Sequence, residues 1–231
     1  MRMISWEKLP PQMQTEAVKP YYEILQKKQI GLIFKRLFDI VVSLIMLLIL
    51  SPVFLVLAIA IKLDSKGPVF YRQVRVTQYG KEFRIFKFRT MVNNADKIGS
   101  QVTVGGDNRI TRVGKVIREC RLDEIGQLLN ILGGSMTFVG TRPEVPKYVE
   151  KYTPEMWATL LLPAGVTSEA SIRYKDEATL LDAAEDVDAT YIQDVLPGKM
   201  KYNLRSIQEY SFFKDIVTMF QTVFAVVEKN S

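Results

Sequence analysis

Histidine is absent from all 231 residues, and cysteine occurs once, at Cys120. The first absence removes Ser-His-Asp and Cys-His catalysis, imidazole acid–base chemistry and histidine-ligated zinc. The second removes any intramolecular disulfide and any four-thiolate metal site, and it fits a reducing, cytoplasmic setting for the globular part. No GxGxxG follows a strand pattern and no GxxxxGK[ST] occurs, so a bound nucleotide is held by arginines rather than by a glycine loop. Internal repeats and low-complexity tracts are missing too. The chemistry that remains belongs to carboxylates, Lys and Arg, hydroxyls, amides, or a hard metal ion bound through oxygen.

Positive charge is in excess. The formal net charge is +6 and the pI about 9.3, which suits a partner carrying phosphates: anionic lipid, nucleotide or nucleic acid. No basic motif with a known docking geometry is present, so nucleic acid is set aside.

One apolar run dominates the chain, the 22 residues Ile40 to Ile61. As a straight helix it measures roughly 33 Å, enough to cross a bilayer core of about 30 Å. Ser51-Pro52 interrupts it. Pro52 lacks an amide hydrogen and crowds the carbonyl four residues earlier, and the Ser51 hydroxyl is placed to help satisfy the freed group. Lys27, Lys28, Lys35 and Arg36 precede the run; Lys62, Lys66, Arg72 and Arg75 follow it. Basic flanks stay cytoplasmic, and a plain span would carry one cluster across. A helix that dips in, bends at Ser51-Pro52 and returns keeps both inside, and this re-entrant reading is favoured over a span or a buried core helix. The run starts too far along the chain for a signal peptide and has no small-residue cleavage site.

The flanking segments read as follows. Residues 1–30 are polar, with Pro10-Pro11 and Pro20, and suggest a surface arm with one short helix near Tyr21–Lys28. Arg36 and Asp39 lie on one helical face, spaced for an ion pair. Val69–Val76 and Glu82–Arg89 alternate with period two around the Tyr79-Gly80 turn signal, which predicts a hairpin or short sheet. A polar loop spans Gly99–Asn108. Val113–Arg121 and Leu122–Leu132 predict helices, the second with an apolar stripe through Leu122, Ile125, Leu128, Leu129 and Leu132 and a stop at Gly133-Gly134. Val145–Leu162 predicts a helix interrupted near Pro154. Thr179–Val195 predicts an acidic helix ended by Pro197-Gly198. Ser211–Lys229 carries an aromatic and aliphatic stripe that suits core packing for the most part, with the lipid headgroup region as the other option.

Four clusters carry chemical potential. Asp123-Glu124 opens the Leu122 helix, with Asp123, Gln127 and Asn130 on one face. A carboxylate in a first turn is held ionised by the helix end and is a competent nucleophile toward phosphorus; it equally suits a solvated helix start. Arg109, Thr111, Arg112, Lys115 and Arg118 precede the dyad, and their guanidinium forks suit phosphate oxygens or a generic anionic surface alike. Arg142 follows a glycine turn in Phe138–Pro143. Lys87 and Arg89 stand at a strand end in Lys87–Met91.

Taken together these stretches resemble the monotopic phosphoglycosyl transferases, the bacterial sugar transferases that begin lipid-linked glycan assembly. The matching residues are Lys35–Asp39, Ser51-Pro52, Gly67–Gln73, Phe86–Met91, Asp107–Arg112, Leu122–Glu124, Gln127–Asn130 and Val139–Pro143, in family order. Gly126 stands where the family usually has proline, and the acidic segment Asp176–Asp194 suggests a subfamily.

The resemblance implies an α/β, mostly helical fold. It consists of an N-terminal arm (1–30), a re-entrant membrane helix-break-helix (31–66, broken at Ser51 and Pro52) and a small cytoplasmic catalytic domain with a short β-hairpin (67–231). It implies a bacterial inner-membrane enzyme with its catalytic domain on the cytoplasmic face, in contact with membrane lipids and not with nucleic acid, and it leaves room for a homodimer. Asp123 is implied as the nucleophile toward a UDP-sugar, forming a phosphosugar-aspartate and releasing UMP; a polyprenyl (undecaprenyl) phosphate then takes the sugar phosphate. Glu124 completes the dyad, and Mg²⁺ held at Asp123 and Glu124 bridges the diphosphate. Arg118, Arg142 and Lys175 match phosphate-binding positions, with Lys87, Arg89, Arg112 and Gln127 as further substrate contacts. The alternative is a non-catalytic membrane anchor that recruits glycan-assembly enzymes through its basic surface.

Overall fold

The structure, a computed structural model, describes residues 1, 3–95, 107–174, 177 and 186–228. Two 3-10 turns (Trp6–Lys8 and Pro11–Met13) lead into α1 (Lys19–Lys27) and the long α2 (Gln29–Asp64). Four short strands follow: β1 (Phe70–Tyr71), β2 (Val74–Val76), β3 (Glu82–Arg84) and β4 (Lys87–Phe88). Then come α3 (Arg112–Glu119), α4 (Gln127–Gly133), β5 (Met136–Val139), α5 (Pro146–Val149), β6 (Ala164–Thr167) and α6 (Glu169–Arg173). The chain closes with α7 (Val187–Thr190), α8 (Leu196–Gln208) and α9 (Phe212–Glu228).

The helix α2 runs for 36 residues with Pro52 inside it. The missing Pro52 amide orphans the Leu48 carbonyl, and the Ser51 hydroxyl donates to that same oxygen at 2.8 Å. By length and composition α2 can cross a membrane, and only 11% of its most apolar window is buried, too little for the core helix of a soluble domain. Ile30, Phe34, Leu37, Val41, Leu44, Leu48, Leu55, Ile59 and Leu63 form its exposed stripe.

Both ends of α2 are tied to the same domain. Near the start, Lys35 donates to the Val139 carbonyl at 2.8 Å and pairs with Asp215. Arg36 donates to the carbonyls of Ile131 and Leu132 at 2.6 and 2.9 Å, and Asp39 accepts from Thr137 Oγ1 at 2.7 Å and the Phe138 amide. The expected Arg36–Asp39 ion pair does not form, because each side chain finds a backbone or hydroxyl partner on the domain instead. At the far end Asp64 accepts from the Val113 amide at 3.0 Å, opening α3. Arg89 donates to the carbonyls of Ser65, Lys66 and Pro68, capping the helix exit. Leu57 and Ile61 bury themselves against Phe88 and Ile117.

The period-two segments form one antiparallel hairpin in a single register. Phe70 and Tyr71 pair with Phe88 and Lys87, and Val74, Arg75 and Val76 pair with Arg84, Phe83 and Glu82. Its tip carries Tyr79 and Gly80 at positive φ. A second pair, β5 with β6, is parallel, with Met136, Thr137 and Val139 opposite Ala164, Gly165 and Thr167. The strands meet closely at their ends: a Cβ on Gly165 would lie 2.2 Å from the Gly140 backbone, so only glycine fits.

Several expectations are corrected. Residues 1–30 are not a solvated arm. Met13, Val18 and Leu25 are fully buried, with Met3, Leu9, Tyr21 and Tyr22, against the 3-10 turn Met156–Leu161 and against Leu196, Met200 and Ile207. Their apolar side chains lack a period because prolines break the segment into short turns, so the pattern hides them. The Val145–Leu162 helix shrinks to α5 and that 3-10 turn, since the residue before Pro154 is driven out of the helical region. Pro197-Gly198 starts α8 rather than ending a helix, for Pro197 sits in the first turn, where no amide hydrogen is needed. Residues 179–185 of the predicted acidic helix lie outside the described residues; the rest is α7 and a π turn over Tyr191–Val195. Most of the Gly99–Asn108 loop also lies outside them.

The last helix departs from its expected use as well. One face of α9 is anchored, with Phe212 edge-on to Phe38 at 5.7 Å and Thr222 hydrogen-bonded to Thr167 at 2.7 Å. The stripe Phe213, Val217, Phe220, Val223 and Phe224 is exposed, not core. It adds to the apolar surface that α2 presents.

Because Met13 has no exposed surface, Met13→Ala is expected to destabilise the domain by about 2–5 kcal/mol. Chemical denaturation of the detergent-solubilised protein measures this; a change below about 0.5 kcal/mol would show the N-terminal segment to be peripheral.

Candidate active site

Arg121 at φ 53° ends α3 and turns the chain sharply. The next five residues, Leu122–Gly126, form a 3-10 turn before α4 begins at Gln127. The predicted single helix from Leu122 is therefore two elements, stopped as expected by Gly134 at positive φ. The dyad Asp123-Glu124 rides on the tight turn. Leu122 and Ile125 anchor that turn beside Phe88 and Ile117, and Gly126 backs onto the Phe86 carbonyl.

Asn130, expected on the dyad's face, instead fastens α4 to the hairpin. Its Oδ1 accepts from the Phe86 amide at 2.7 Å, and its Nδ2 donates to the Arg84 carbonyl at 3.1 Å. This lock brings Lys87, the next residue, up to the dyad. Lys87 Nζ lies 2.8 Å from Glu124 Oε1 and 4.0 Å from Asp123 Oδ2. From the other side, the crossing of β5 and β6 delivers Arg142. Its Nη2 is 2.5 Å from Glu124 Oε1, and its Nη1 also donates to the Val166 carbonyl. Arg75 donates to the Pro143 carbonyl at 2.9 Å and steadies that loop.

The two carboxylates are pushed apart electrostatically. Burial raises the Asp123 pKa more than Lys87 and Arg118 lower it, and the Glu124 charge adds to the rise. Burial acts upward on Glu124 as well, but Arg142 and Lys87 overcome it and hold its carboxyl well below the usual carboxylate range. Glu124 in turn raises the Arg142 pKa. The lowering of the Asp123 pKa expected from a helix end is outweighed: the turn is too short to supply a strong dipole, and burial prevails. Neighbouring carboxyl groups with divergent pKa values take different roles. Glu124 is a fixed charge clamped by two cations; Asp123 is the more basic group, with Lys87 Nζ at 4.0 Å and the Arg118 charge acting on it as well.

The dyad separates two cavities. Asp123 faces one of about 610 Å³, lined by Arg72, Arg75, Arg84, Lys87, Arg109 and Arg118. Glu124 borders the other, about 380 Å³, whose walls are mainly apolar. A carboxylate of raised pKa facing a basin of guanidinium groups is arranged to meet a phosphorylated ligand.

Residues 30–229 match the family described as bacterial sugar transferase. The chain belongs to that family. It is 36% identical over 193 residues to the UDP-N-acetylgalactosamine-undecaprenyl-phosphate N-acetylgalactosaminephosphotransferase of Aeromonas hydrophila, covering 82% of this chain and 42% of that protein. It is 37% identical over 201 residues to the UDP-glucose:undecaprenyl-phosphate glucose-1-phosphate transferase of Klebsiella pneumoniae, covering 84% of this chain and 40% of that one. The exopolysaccharide production protein ExoY of Rhizobium meliloti is 30% identical over 228 residues, with 92% and 90% of the two chains covered. The chain therefore spans less than half of the first two relatives and nearly all of the third.

Of the substrate positions expected of such a sugar transferase, Lys87, Arg118 and Arg142 gather around Asp123-Glu124. Gln127 lies buried beside Glu124 in the apolar cavity. Arg89 borders the basic cavity, yet its guanidinium is committed to three backbone carbonyls. Arg112 is exposed in the first turn of α3 and lines neither cavity. Lys175 lies outside the described residues. The sequence reading missed Arg75 and Arg84 as site residues and took Arg72 and Arg75 for membrane flanks. Arg72 stacks on Phe86 with 3.5 Å to the ring centroid. The signal was available: an arginine-bearing hairpin whose register sets those side chains beside Lys87.

Among the described residues no group of three or more acidic, cysteine or histidine side chains gathers to hold a metal. Mg²⁺ asks for less, one or two carboxylates completed by water and substrate phosphates. Asp123 borders the basic cavity and could supply one such carboxylate, while the adjacent Glu124 borders the apolar cavity and would have to exchange part of its pairing with Lys87 and Arg142 to supply a second.

Lys87 lowers the Asp123 pKa, so Lys87→Met is expected to move it further up. The carboxyl signal of Asp123, followed by isotope-edited infrared or NMR titration, should show its midpoint above the unperturbed value of about 3.9 in the parent and higher still in the variant. A midpoint that falls on removing Lys87 would contradict the assigned electrostatics.

Proposed function

We propose that this sugar transferase moves a sugar 1-phosphate from a UDP-sugar to a polyprenyl phosphate through a covalent intermediate on Asp123. The reading is carried by one arrangement: a half-buried carboxylate of raised pKa, beside a clamped carboxylate, facing a cavity lined with arginine and lysine. The donor and acceptor classes come from the names of the Aeromonas and Klebsiella relatives, which differ in the sugar.

In the first step an Asp123 carboxylate oxygen attacks the β-phosphorus of the UDP-sugar. The bond from that phosphorus to the oxygen bridging the α-phosphate breaks, and UMP leaves with the electron pair. The arginines around the cavity neutralise the diphosphate, without which two anions and a carboxylate repel one another. Lys87 and Arg142 keep Glu124 charged and still, so that the turn bearing Asp123 holds its orientation. In the second step a phosphate oxygen of the polyprenyl phosphate attacks the same phosphorus and the aspartate leaves. The product is a polyprenyl diphosphate sugar. Bound Mg²⁺, held by Asp123 and Glu124, would add charge neutralisation at the diphosphate.

An acceptor insoluble in water requires the site to lie at a membrane surface. We read α2 as re-entrant, entering and leaving from the cytoplasmic face of the bacterial inner membrane. The support is that both ends of α2 bind one domain, with Ser51-Pro52 between them and basic residues on both flanks. This is the first membrane step of capsule, O-antigen or glycoprotein assembly, and the basic residues of the cavity have no use in a mere anchor.

The test is UMP release from a panel of UDP-sugars with undecaprenyl phosphate in detergent or nanodiscs. Release that depends on one UDP-sugar, with a lipid-linked product, is expected; no release from any donor would favour a scaffold, and release without lipid product a hydrolase. Asp123→Asn should lower turnover by at least 10³-fold, in line with loss of a nucleophile. Its thermal stability near pH 7 should be unchanged or higher. The folded-state pKa of Asp123 is raised, so its stabilising contribution exists below the unfolded pKa and is lost as pH rises through the folded one. Near neutrality the ionised group is a liability that asparagine removes.

A further inference from the structure

Three buried polar side-chain atoms lack a hydrogen-bond partner among the described residues, and one of them adjoins the dyad. Gln127, at the first position of α4, is almost fully buried, and its Nε2 has no hydrogen-bond partner among the described residues. Buried amide hydrogens are nearly always paired, so an orphan beside a cavity points to a group that occupies the cavity. The cavity is the apolar one bordered by Glu124 and Arg142. Its volume of about 380 Å³ falls in the range of about 300–1,000 Å³ common for ligand sites.

Its polarity is graded. Glu124 and Arg142, which belong to the site described above, line it together with Gln127. The remaining wall includes Met46 of α2, Leu128 and Ile131 of α4, Phe138 of β5 and Met219 of α9. Methionines from two helices give a wall that adapts to an irregular chain. Met46 neighbours Ile45 and Ile49, which belong to the exposed apolar surface of α2. The cavity thus connects an apolar surface suited to lipid with the clamped carboxylate beside Asp123.

We propose that this cavity is the acceptor's seat: it takes the first isoprene units of the polyprenyl phosphate, and the Gln127 amide donates to its phosphate. The proposal rests on the transfer reaction inferred above and adds where the lipid enters. It gives the two substrates separate doors. The nucleotide sugar reaches Asp123 from the basic cavity, and the prenyl chain comes from the membrane side between α2 and α9. It also gives α9 a task, as one wall of the lipid entrance.

Ala225 lines the same cavity from α9, and Ala225→Trp or Met219→Trp would fill it. Each is expected to raise the KM for undecaprenyl phosphate at least tenfold while the KM for the UDP-sugar changes by less than twofold. Gln127→Met should also raise the acceptor KM, with thermal stability equal to or above the parent's, since it removes an unpaired buried amide. Unchanged acceptor KM in all three, or donor and acceptor KM rising together, would overturn the assignment. A second measurement needs neither variants nor turnover: the unaltered protein is photolabelled with farnesyl phosphate carrying a terminal diazirine, and the peptides are mapped. Label on the segments holding Met46 or Met219, displaced by undecaprenyl phosphate, is expected. Label confined to the outer stripe around Ile33–Leu37, or displaced equally by phospholipid, would contradict it. If the unaltered protein releases no UMP from any donor, the transferase reading fails by itself. If it does release UMP and the cavity variants leave the acceptor KM alone, only the seat is wrong.

Discussion

The anchoring of both ends of α2 to one small domain governs the rest of the architecture. A 36-residue helix extends about 54 Å if straight, longer than a bilayer core requires. Yet Lys35, Arg36 and Asp39 near its start bind the β5 region and the end of α4, while Asp64 and the carbonyls of Ser65 and Lys66 at its end bind α3 and Arg89. These are charge-assisted contacts, largely shielded from water, and the groups they satisfy would be costly to leave unpaired. Pro52 and the Ser51 bond to Leu48 stand midway between the two anchors. Through the same contacts the apolar stripe of α2 is held in a fixed relation to the domain that carries Asp123.

The electrostatic design of the site follows from geometry on that frame. The Asn130 lock holds Lys87, and the close crossing at Gly140 and Gly165 aims Arg142. Both cations fall on Glu124, while burial raises the pKa of Asp123, one residue earlier, which faces the arginines. The chain uses no imidazole because it has none; a carboxylate made more basic by burial, together with fixed positive charge, is the means left to it.

Much of this was legible in the sequence, and the reasons differ by element. The hairpin was readable because β-branched and aromatic residues alternate on either side of Tyr79-Gly80, and one register resulted. The role of Ser51 was readable because proline dictates which carbonyl is orphaned. Lys87, Arg118 and Arg142 were found through the resemblance, not through charge alone. Less legible was anything set by distant packing. Met13 and Val18 carry no periodic signal, so their burial escaped notice. The parallel pair β5–β6 hides in four-residue strands around glycines. The apolar stripe of α9 reads identically whether it meets core or lipid, and only the anchors at Phe212 and Thr222 show which face turns inward. The unpaired amide of Gln127 belongs to three-dimensional structure alone.

The central claim is that the membrane helix returns to the face it left, so that one aqueous compartment holds both of its ends and the dyad. Lys28→Cys and Lys66→Cys, at exposed sites before and after the helix, test it in a Cys120→Ser background that removes the single exposed native thiol. A membrane-impermeant maleimide applied to intact cells should label neither position, and both should react once the membrane is opened. Labelling of one position from outside the intact cell would mean that the helix spans, and would contradict the account.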